Sequence, residues 1–498
     1  MLFSAEEFLT AVALVMHWQV AVAVSIGVAI GILVGGLPGL TTATAIAIVL
    51  PFSFFVEPLI GLPFLIGLYK GGIFGGSIPA ILIATPGTGA SVATILDGPA
   101  LVRKGNGRKA LEMALYASVT GDTASDVLTL LLVVPFAAAA LLAGPPEMAA
   151  ILFAAIVLTI IAGTTSWLRG AIMACIGILL ATVGRDPLEF GQRLTFGMDI
   201  LEGGIPLLPM LIGLFAIPEL MRMIALRKSA TGRIPPPVDP GPGLTLGEFK
   251  RAGRTIARST FLGSIIGIVP GMGQPVAAFS GYAMAKRASP RPEEFGRGSL
   301  EGIAAAEAAN NAVNGPTLIP LLTLGIPGDK ITAILLGAFV AHGLRPGPQL
   351  VEQHGPVILA ILLAMLLSNL LLLVIARVLI PAVARLVTMD PNLLAPIVLV
   401  LAWTGVYLYR SDSSDLFFLA LFGVLGVLAR RGKFDLAPMV LAFILCESLE
   451  YSVGQTLNLA RDGVLEYLLL DRPGAIIILL SVSGVALWVG LSEKRSLS

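Results

Sequence analysis

The chain has 498 residues, 56% of them hydrophobic and 13% charged, with a mean hydropathy of +0.92. Soluble domains carry about 25% charged residues, so this composition excludes an ordinary soluble protein and fits a polytopic α-helical membrane protein. A net charge of +1 supplies no field for nucleic acid, two widely separated cysteines exclude a disulfide framework, and the three histidines show no metal-ligand spacing.

Residues 3–18 are amphipathic, with Glu6 and Glu7 on one side, and are expected at the membrane interface. The start lacks a basic region and a small-residue cleavage pattern, so the first apolar segment, 20–34, is expected to be a retained span. It ends at Gly35-Gly36 and is broken at Leu37-Pro38-Gly39, after which Thr41, Thr42 and Thr44 follow. Apolar segments 45–54 and 60–69 lead into YKGGIFGG, residues 69–76, whose glycines suit close helix packing. The next stretch, SIPAILIATPGTGASVATILDG, breaks at Thr85-Pro86-Gly87-Thr88-Gly89 and carries Ser91 beyond the break. A basic loop with Arg103, Lys104, Arg108 and Lys109 precedes segment 110–143. There Asp122 and Asp126, four residues apart, share a helical face and are functional candidates as intramembrane carboxylates. Segments 148–162, 170–183 and 205–217 complete the first half.

Residues 222–258 form the one long hydrophilic segment, rich in Arg and Lys with a Pro/Gly stretch at 235–242, and positive-inside reasoning makes it cytoplasmic. It divides the chain into a first membrane repeat, 1–221, and a second, 259–498. The second opens with segment 261–285, broken at Pro270-Gly271-Met272-Gly273, and a charged loop, 286–301. EAANNAVNGPTLIPLLTLGIPGDKITAILLG, residues 307–337, is apolar yet carries Asn310, Asn311, Asn314, Thr323, Asp329 and Lys330, and it breaks at Pro320 and Pro327-Gly328. Apolar segments 357–380, 393–407, 416–428, 437–445 and 475–491 follow, with Trp403 and Trp488 as interfacial anchors and Lys494 and Arg495 marking a cytoplasmic end.

The two halves repeat. Pro79 and Pro86 are seven residues apart, as are Pro320 and Pro327, and each second proline precedes glycine. Pro38-Gly39 is matched by Pro270-Gly271, and Pro209-Met210 with Glu219 by Pro438-Met439 with Glu447. Charge sets the relative orientation. The loop after the first Pro-Gly segment holds only Glu57, whereas its counterpart holds Lys286, Arg287, Arg291 and Arg297; after the hairpins the bias reverses. Equivalent loops then face opposite sides, as inverted-topology repeats require. The expected fold is an all-α membrane protein of two inverted repeats with broken, re-entrant helical hairpins.

Freed backbone groups at membrane depth must be satisfied by protein or by a water-lined cavity. A half-helix beginning at a break offers N–H groups and a positive dipole end to a carboxylate, and glycine lets the ligand reach the backbone. Released carbonyls near Gly87 and Gly328, with Thr and Asn oxygens, suit Na⁺; no firm metal set is present. Asp329 and Lys330 are expected to neutralise each other at the tip, although Lys330 also suits an anion site. The three asparagines serve either a cavity wall or interhelical hydrogen bonding.

These residues carry a resemblance. GLPG at 36–39, YKGGIFGGSIPAILIATPGT at 69–88, Asp97-Gly98, GIVPGMG at 267–273 and EFGRGSLEGIAAAEAANNA followed by LIPLLTLGIPG resemble the large permease subunit of the tripartite tricarboxylate (TctA-type) transporters over roughly residues 33–447. The resemblance implies a bacterial inner-membrane permease of about twelve spans, working with a small four-span membrane subunit and a periplasmic solute-binding protein. It would import small carboxylates with a Na⁺ or H⁺ gradient. Carried onto this chain, the resemblance implies that Pro38, Gly39, residues 85–89, Asn310, Asn311, Leu324, Gly325, Ile326, Pro327, Gly328 and neighbouring polar residues surround the site, and the broken segments themselves add Thr41, Ser91, Pro270, Gly271, Asn314, Thr323 and Asp329 as candidates. Ala84, Phe74, Gln274-Pro275, Ala306 and Asp329-Lys330 depart from the family pattern near that cavity, so a citrate-like substrate does not follow. Two other classes compete: a membrane-embedded enzyme on a lipid-linked substrate, for which Asp122/Asp126 is the one pair to consider, and an uncoupled channel or scaffold subunit. No phosphate-binding loop of the GxxxxGK[ST] type occurs.

Overall fold

A computed structural model describes residues 3–37, 40–163, 166–226, 241–386, 391–460 and 463–497, and the chain within them is almost entirely helical. A two-residue antiparallel pairing, Gly184–Arg185 with Gln192–Arg193, is the sheet among them. Pro38, Gly39 and most of the expected Pro/Gly linker lie outside the described residues. Six helices are long and apolar enough to cross a membrane, and a seventh span arises if Val464–Asp471 and Pro473–Leu487, bent by 97°, are taken together. Four shorter apolar helices, among them Thr42–Ser53 and Lys330–Ala341, stand beside them.

Small residues set how closely these helices approach. Trp18–Gly35 carries Gly27, Gly31 and Gly35, and Pro58–Gly75 carries Gly67, Gly71 and Gly75, each set at four-residue spacing. The two faces interlock: a Cβ at Gly67 would stand 2.7 Å from Val24 O, and one at Gly75 2.6 Å from Ile32 O. Close backbone approach of this kind replaces the hydrophobic drive that lipid removes. The glycine-rich run at 69–76 therefore serves packing, with the second glycine register, 27/31/35, as its partner.

Helix Leu300–Asn311, EGIAAAEAANN after its first residue, is buried nearly throughout. Glycines on three neighbours admit it. A Cβ at Gly121 would meet Ala308 O at 2.6 Å, one at Gly281 would meet Ala309 Cβ at 2.7 Å, and one at Gly263 would overlap Ala309 O. The small Ala/Gly surface leaves no room between helices, so every polar group on this element must find a partner inside the protein.

The loops of the two halves meet in a crossed pattern. Lys104 Nζ donates to Arg297 O at 2.7 Å, and Asp97 Oδ1 accepts from the N–H groups of Gly296, Gly298 and Ser299 at 2.8–2.9 Å. The loop after the first hairpin thus sits on the loop before the second. Lys109 also pairs with Glu248, at the start of helix Leu246–Ile268. On the other side of the pattern, Ser53 Oγ lies 3.3 Å from His342 Nε2, and the Phe54 ring packs edge-on to His342 at 5.6 Å. There the loop before the first hairpin meets the loop after the second.

Candidate functional site

Both hairpins break in the same way. Ser77–Ile83 and Leu318–Leu324 are seven-residue helices, and each ends on a left-handed residue, Ala84 (φ 55°) and Gly325 (φ 72°). Pro86-Gly87 and Pro327-Gly328 follow two residues later. Neither proline has an N–H to continue the helix, so the chain must turn. The first hairpin returns as a 3-10 helix, Gly89–Leu96, behind Thr88. The second returns as Lys330–Ala341 behind Asp329, whose side chain accepts from Thr332 N at 2.8 Å while Thr332 Oγ1 accepts from Asp329 N at 2.9 Å.

One cavity of about 570 Å³ collects these features. Thr88, Gly89 and Ala90 line it from the first tip, and Pro327, Gly328 and Asp329 from the second. Thr41, Thr42 and Thr44 line it from behind the first Pro-Gly break, and Gly271, Gly273 and Gln274 from behind the second. The second break and second tip are joined by their main chains, Gly271 N donating to Gly328 O at 2.8 Å. Gln274 Nε2 donates to Tyr69 Oη, which in turn faces Asp329 Oδ2 at 3.5 Å.

The wall is mostly basic on one side. Arg169, Lys330, Arg430 and Lys433 line it, with Asp329 and Asp435 as the acids. Lys330 pairs with Asp435 at 2.8 Å, and Arg430 with the buried Glu219 at 2.7 Å. Arg169 lies over the Phe434 ring at 5.8 Å. The expected Asp329–Lys330 neutralisation is corrected by these contacts: Asp329 is consumed as a helix cap, and Lys330 reaches a different element. Glu219 and Glu447, equivalent in sequence, are unlike in the fold, the first buried between Arg222 and Arg430 and the second exposed.

Of the residues singled out in the sequence, Thr41, Thr88, Gly89, Gly271, Pro327, Gly328 and Asp329 meet in the cavity. The other expected site residues among those described stand behind it or apart. Gly87 is buried where a Cβ would overlap Gly35 O, and its N–H donates to Gly76 O at 3.2 Å. Ser91 bonds Thr88 Oγ1 at 3.0 Å and so supports the first tip. Thr85 and Pro86 are half-buried before that tip, and Pro270 is half-buried before Gly271. Thr323 donates to Ile319 O in its own helix, Gly325 caps that helix, and Ile326 packs in an apolar cluster with Leu152, Leu441 and Leu445. Asn310, Asn311 and Asn314 are fully buried; Asn311 donates to Ser118 Oγ at 2.8 Å.

Asp122 and Asp126 meet a partner the sequence reading passed over. Lys70, in the YKGG run, donates to Asp122 Oδ1 at 3.0 Å, to Asn369 Oδ1 at 3.1 Å and to Asp126 Oδ2. A lone lysine in an apolar run, in a chain with two intramembrane carboxylates, was the available signal. A second buried acid, Glu307, has only neutral partners, accepting from Thr94, Ser118 and Asn311. Among the described residues no group of three His, Cys, Asp or Glu side chains is placed to hold a metal ion.

Broken hairpins that converge on one cavity inside a bundle of apolar helices mark an integral membrane protein. The match to known proteins agrees: residues 21–441 fit the tripartite tricarboxylate transporter TctA family. The chain belongs to that family and is a transporter subunit. It is 33% identical over 436 residues, 87% of this chain and 86% of the relative, to an uncharacterized 52.8 kDa protein in the TAR-I ttuC′ 3′ region of Agrobacterium vitis. It is also 34% identical over 199 residues, 40% of this chain and 82% of the relative, to an uncharacterized protein in the TAR-II ttuC′ 3′ region of the same organism. No solved structure matches it.

Proposed function

We propose that this chain is the large membrane subunit of a binding-protein-dependent secondary transporter that imports small carboxylates with a Na⁺ or H⁺ gradient. The observation that carries this reading is the convergence of both tips, and of the segments behind both Pro-Gly breaks, on one cavity. The crossed loop contacts, 97–104 with 296–299 and 53–54 with 342, support inverted repeats, because equivalent loops then lie on opposite faces. With the shorter apolar helices and broken hairpins counted, about twelve crossings fit this arrangement in a bacterial inner membrane. A small four-span subunit and a periplasmic binding protein complete the transporter.

Within the cavity the carboxylate belongs on the first-tip side. Thr88, Gly89 and Ala90 present a hydroxyl and the start of a helix there, where backbone N–H groups favour an anion. The second tip is occupied by its own carboxylate, Asp329, which repels a second one. Arg169 and Lys433 at the wall add positive charge, which raises the local concentration of an anionic substrate.

The test is uptake of labelled di- and tricarboxylates into proteoliposomes holding both membrane subunits, with the binding protein supplied and Na⁺ and pH gradients imposed separately. Saturable, gradient-driven, binding-protein-dependent uptake is expected. Uptake that needs neither gradient nor binding protein would favour a channel. Gradient-independent conversion of a lipid-linked compound in detergent would favour an enzyme.

A further inference from the structure

Unpaired buried polar atoms concentrate in one place. Asn310 Oδ1, Asn314 Oδ1 and Thr317 Oγ1 have no hydrogen-bond partner, the Asn310 amide standing beside the Glu307 carboxylate, and all three residues are at most 1% exposed. They recur at i, i+4 and i+7. They lie at and after the end of helix Leu300–Asn311, where the chain keeps turning toward helix Leu318–Leu324, with Asn314 N bonded to Asn311 O at 3.0 Å and Thr317 N to Val313 O at 3.1 Å. Three acceptor oxygens thus follow one another at one-turn intervals along one buried segment. The stripe ends at the second tip, since a Cβ at Gly328 would overlap Thr317 Oγ1.

The stripe also touches uncompensated charge. Lys70 is one ammonium facing two carboxylates, Asp122 and Asp126, and all three are buried to within 1%. Asn314 Nδ2 donates to Asp122 Oδ2 at 3.3 Å, and Asp126 Oδ1 has no partner. A buried charge is tolerated when an opposite one stands beside it. A proton needs a single acceptor, whereas a row of neutral amide and hydroxyl oxygens next to an excess negative charge suits a hard cation, which takes several oxygen ligands.

We propose that Asn310 Oδ1, Asn314 Oδ1 and Thr317 Oγ1 bind a sodium ion whose charge is balanced by the Lys70–Asp122–Asp126 cluster. Its role as the coupling ion rests on the transport reading above; its binding does not. Through Thr317 the occupied site fixes Gly328, and Gly328 forms the wall of the cavity. Sodium and carboxylate then strengthen each other's binding by the same factor, as linkage requires.

The test is ²²Na⁺ binding to the purified full chain without carboxylate, alongside thermal stability in Na⁺, K⁺ and choline. The wild type is expected to bind sodium and to be stabilised by it alone. Thr317→Val and Asn310→Leu should each weaken binding at least tenfold, whereas Thr317→Ser, which keeps the oxygen, should retain it. Absent ²²Na⁺ binding by the wild type, proton uptake in its place, or wild-type affinity in Thr317→Val would overturn the site. Should Thr317→Val fail to fold, wild-type affinity in Asn310→Leu would overturn it equally. Carboxylate uptake by the wild type with unaltered sodium binding in the variants overturns the site alone. Sodium binding lost in the variants, with no carboxylate uptake by the wild type, upholds the site and overturns the transport reading.

Discussion

The first hairpin returns through eight residues of 3-10 helix and the second through 12 residues of α-helix, although the limbs that enter them are the same length. The difference begins at one residue. Thr88 stands where the second tip has Asp329, so the second helix start is already capped by a carboxylate and the first is not. A capped start no longer offers its N–H groups or its dipole to an incoming anion. On the proposed transport reading, the first tip then serves the anion and the second the cation side of the site.

The largest effect should come from the glycines, which sharpen that contrast. At Gly87 a side chain would overlap Gly35 O and stand 2.8 Å from Gly76 Cα, both main-chain atoms that cannot yield. Gly87→Val is expected to lower reconstituted uptake at least ~100-fold through overpacking, with membrane insertion measured in the same samples. Gly89→Ala meets only Pro275 Cγ at 3.6 Å and should leave uptake within about threefold. Equal losses in the two would break the picture of a rigid support behind an open tip.

Lys70→Met leaves two buried carboxylates without their cation and should cost about 3–5 kcal/mol. Thermal unfolding in detergent reads this loss. Adding Asp122→Asn and Asp126→Asn to that variant should restore most of the stability, and a failure to restore would show that the lysine acts by more than charge.

The contrast between the tips turns on Asp329. Asp329→Ala should cost about 1 kcal/mol of stability through loss of the cap. Asp329→Asn keeps a capping oxygen and removes the negative charge, so it should lower the KM for a carboxylate by about two- to fivefold, the scale of an exposed ion pair. A raised KM in Asp329→Asn would place the anion elsewhere. The smallest effect is expected at the wall, where Lys433→Ala should raise KM by a similar or lesser factor that fades at high ionic strength.

Much of this was legible in the residues. Prolines followed by glycine located both breaks, each two residues beyond the left-handed residue that ends the entering helix. Glycine spacing foretold close helix packing. What could not be read was partner choice across the fold. Asp329 and Lys330 are neighbours in sequence, yet the helix start claims one and Asp435 claims the other. Lys70 and its two aspartates are more than 50 positions apart and meet only because paired glycine faces carry the lysine inward. Glu219 is buried between Arg222 and Arg430 through a contact from another helix, which no local pattern encodes.

The main-chain bond from Gly271 to Gly328 has a mechanical consequence. It ties the break and the tip of the second half into one rigid piece, so neither can swing without the other. Across from it, the returning limb of the first hairpin packs on helix Gly273–Ala288 through the fully buried Ala93 and Ala278. Any alternation of the pathway between the two sides of the bilayer should therefore carry the Gly271–Gly328 pair as a single shutter.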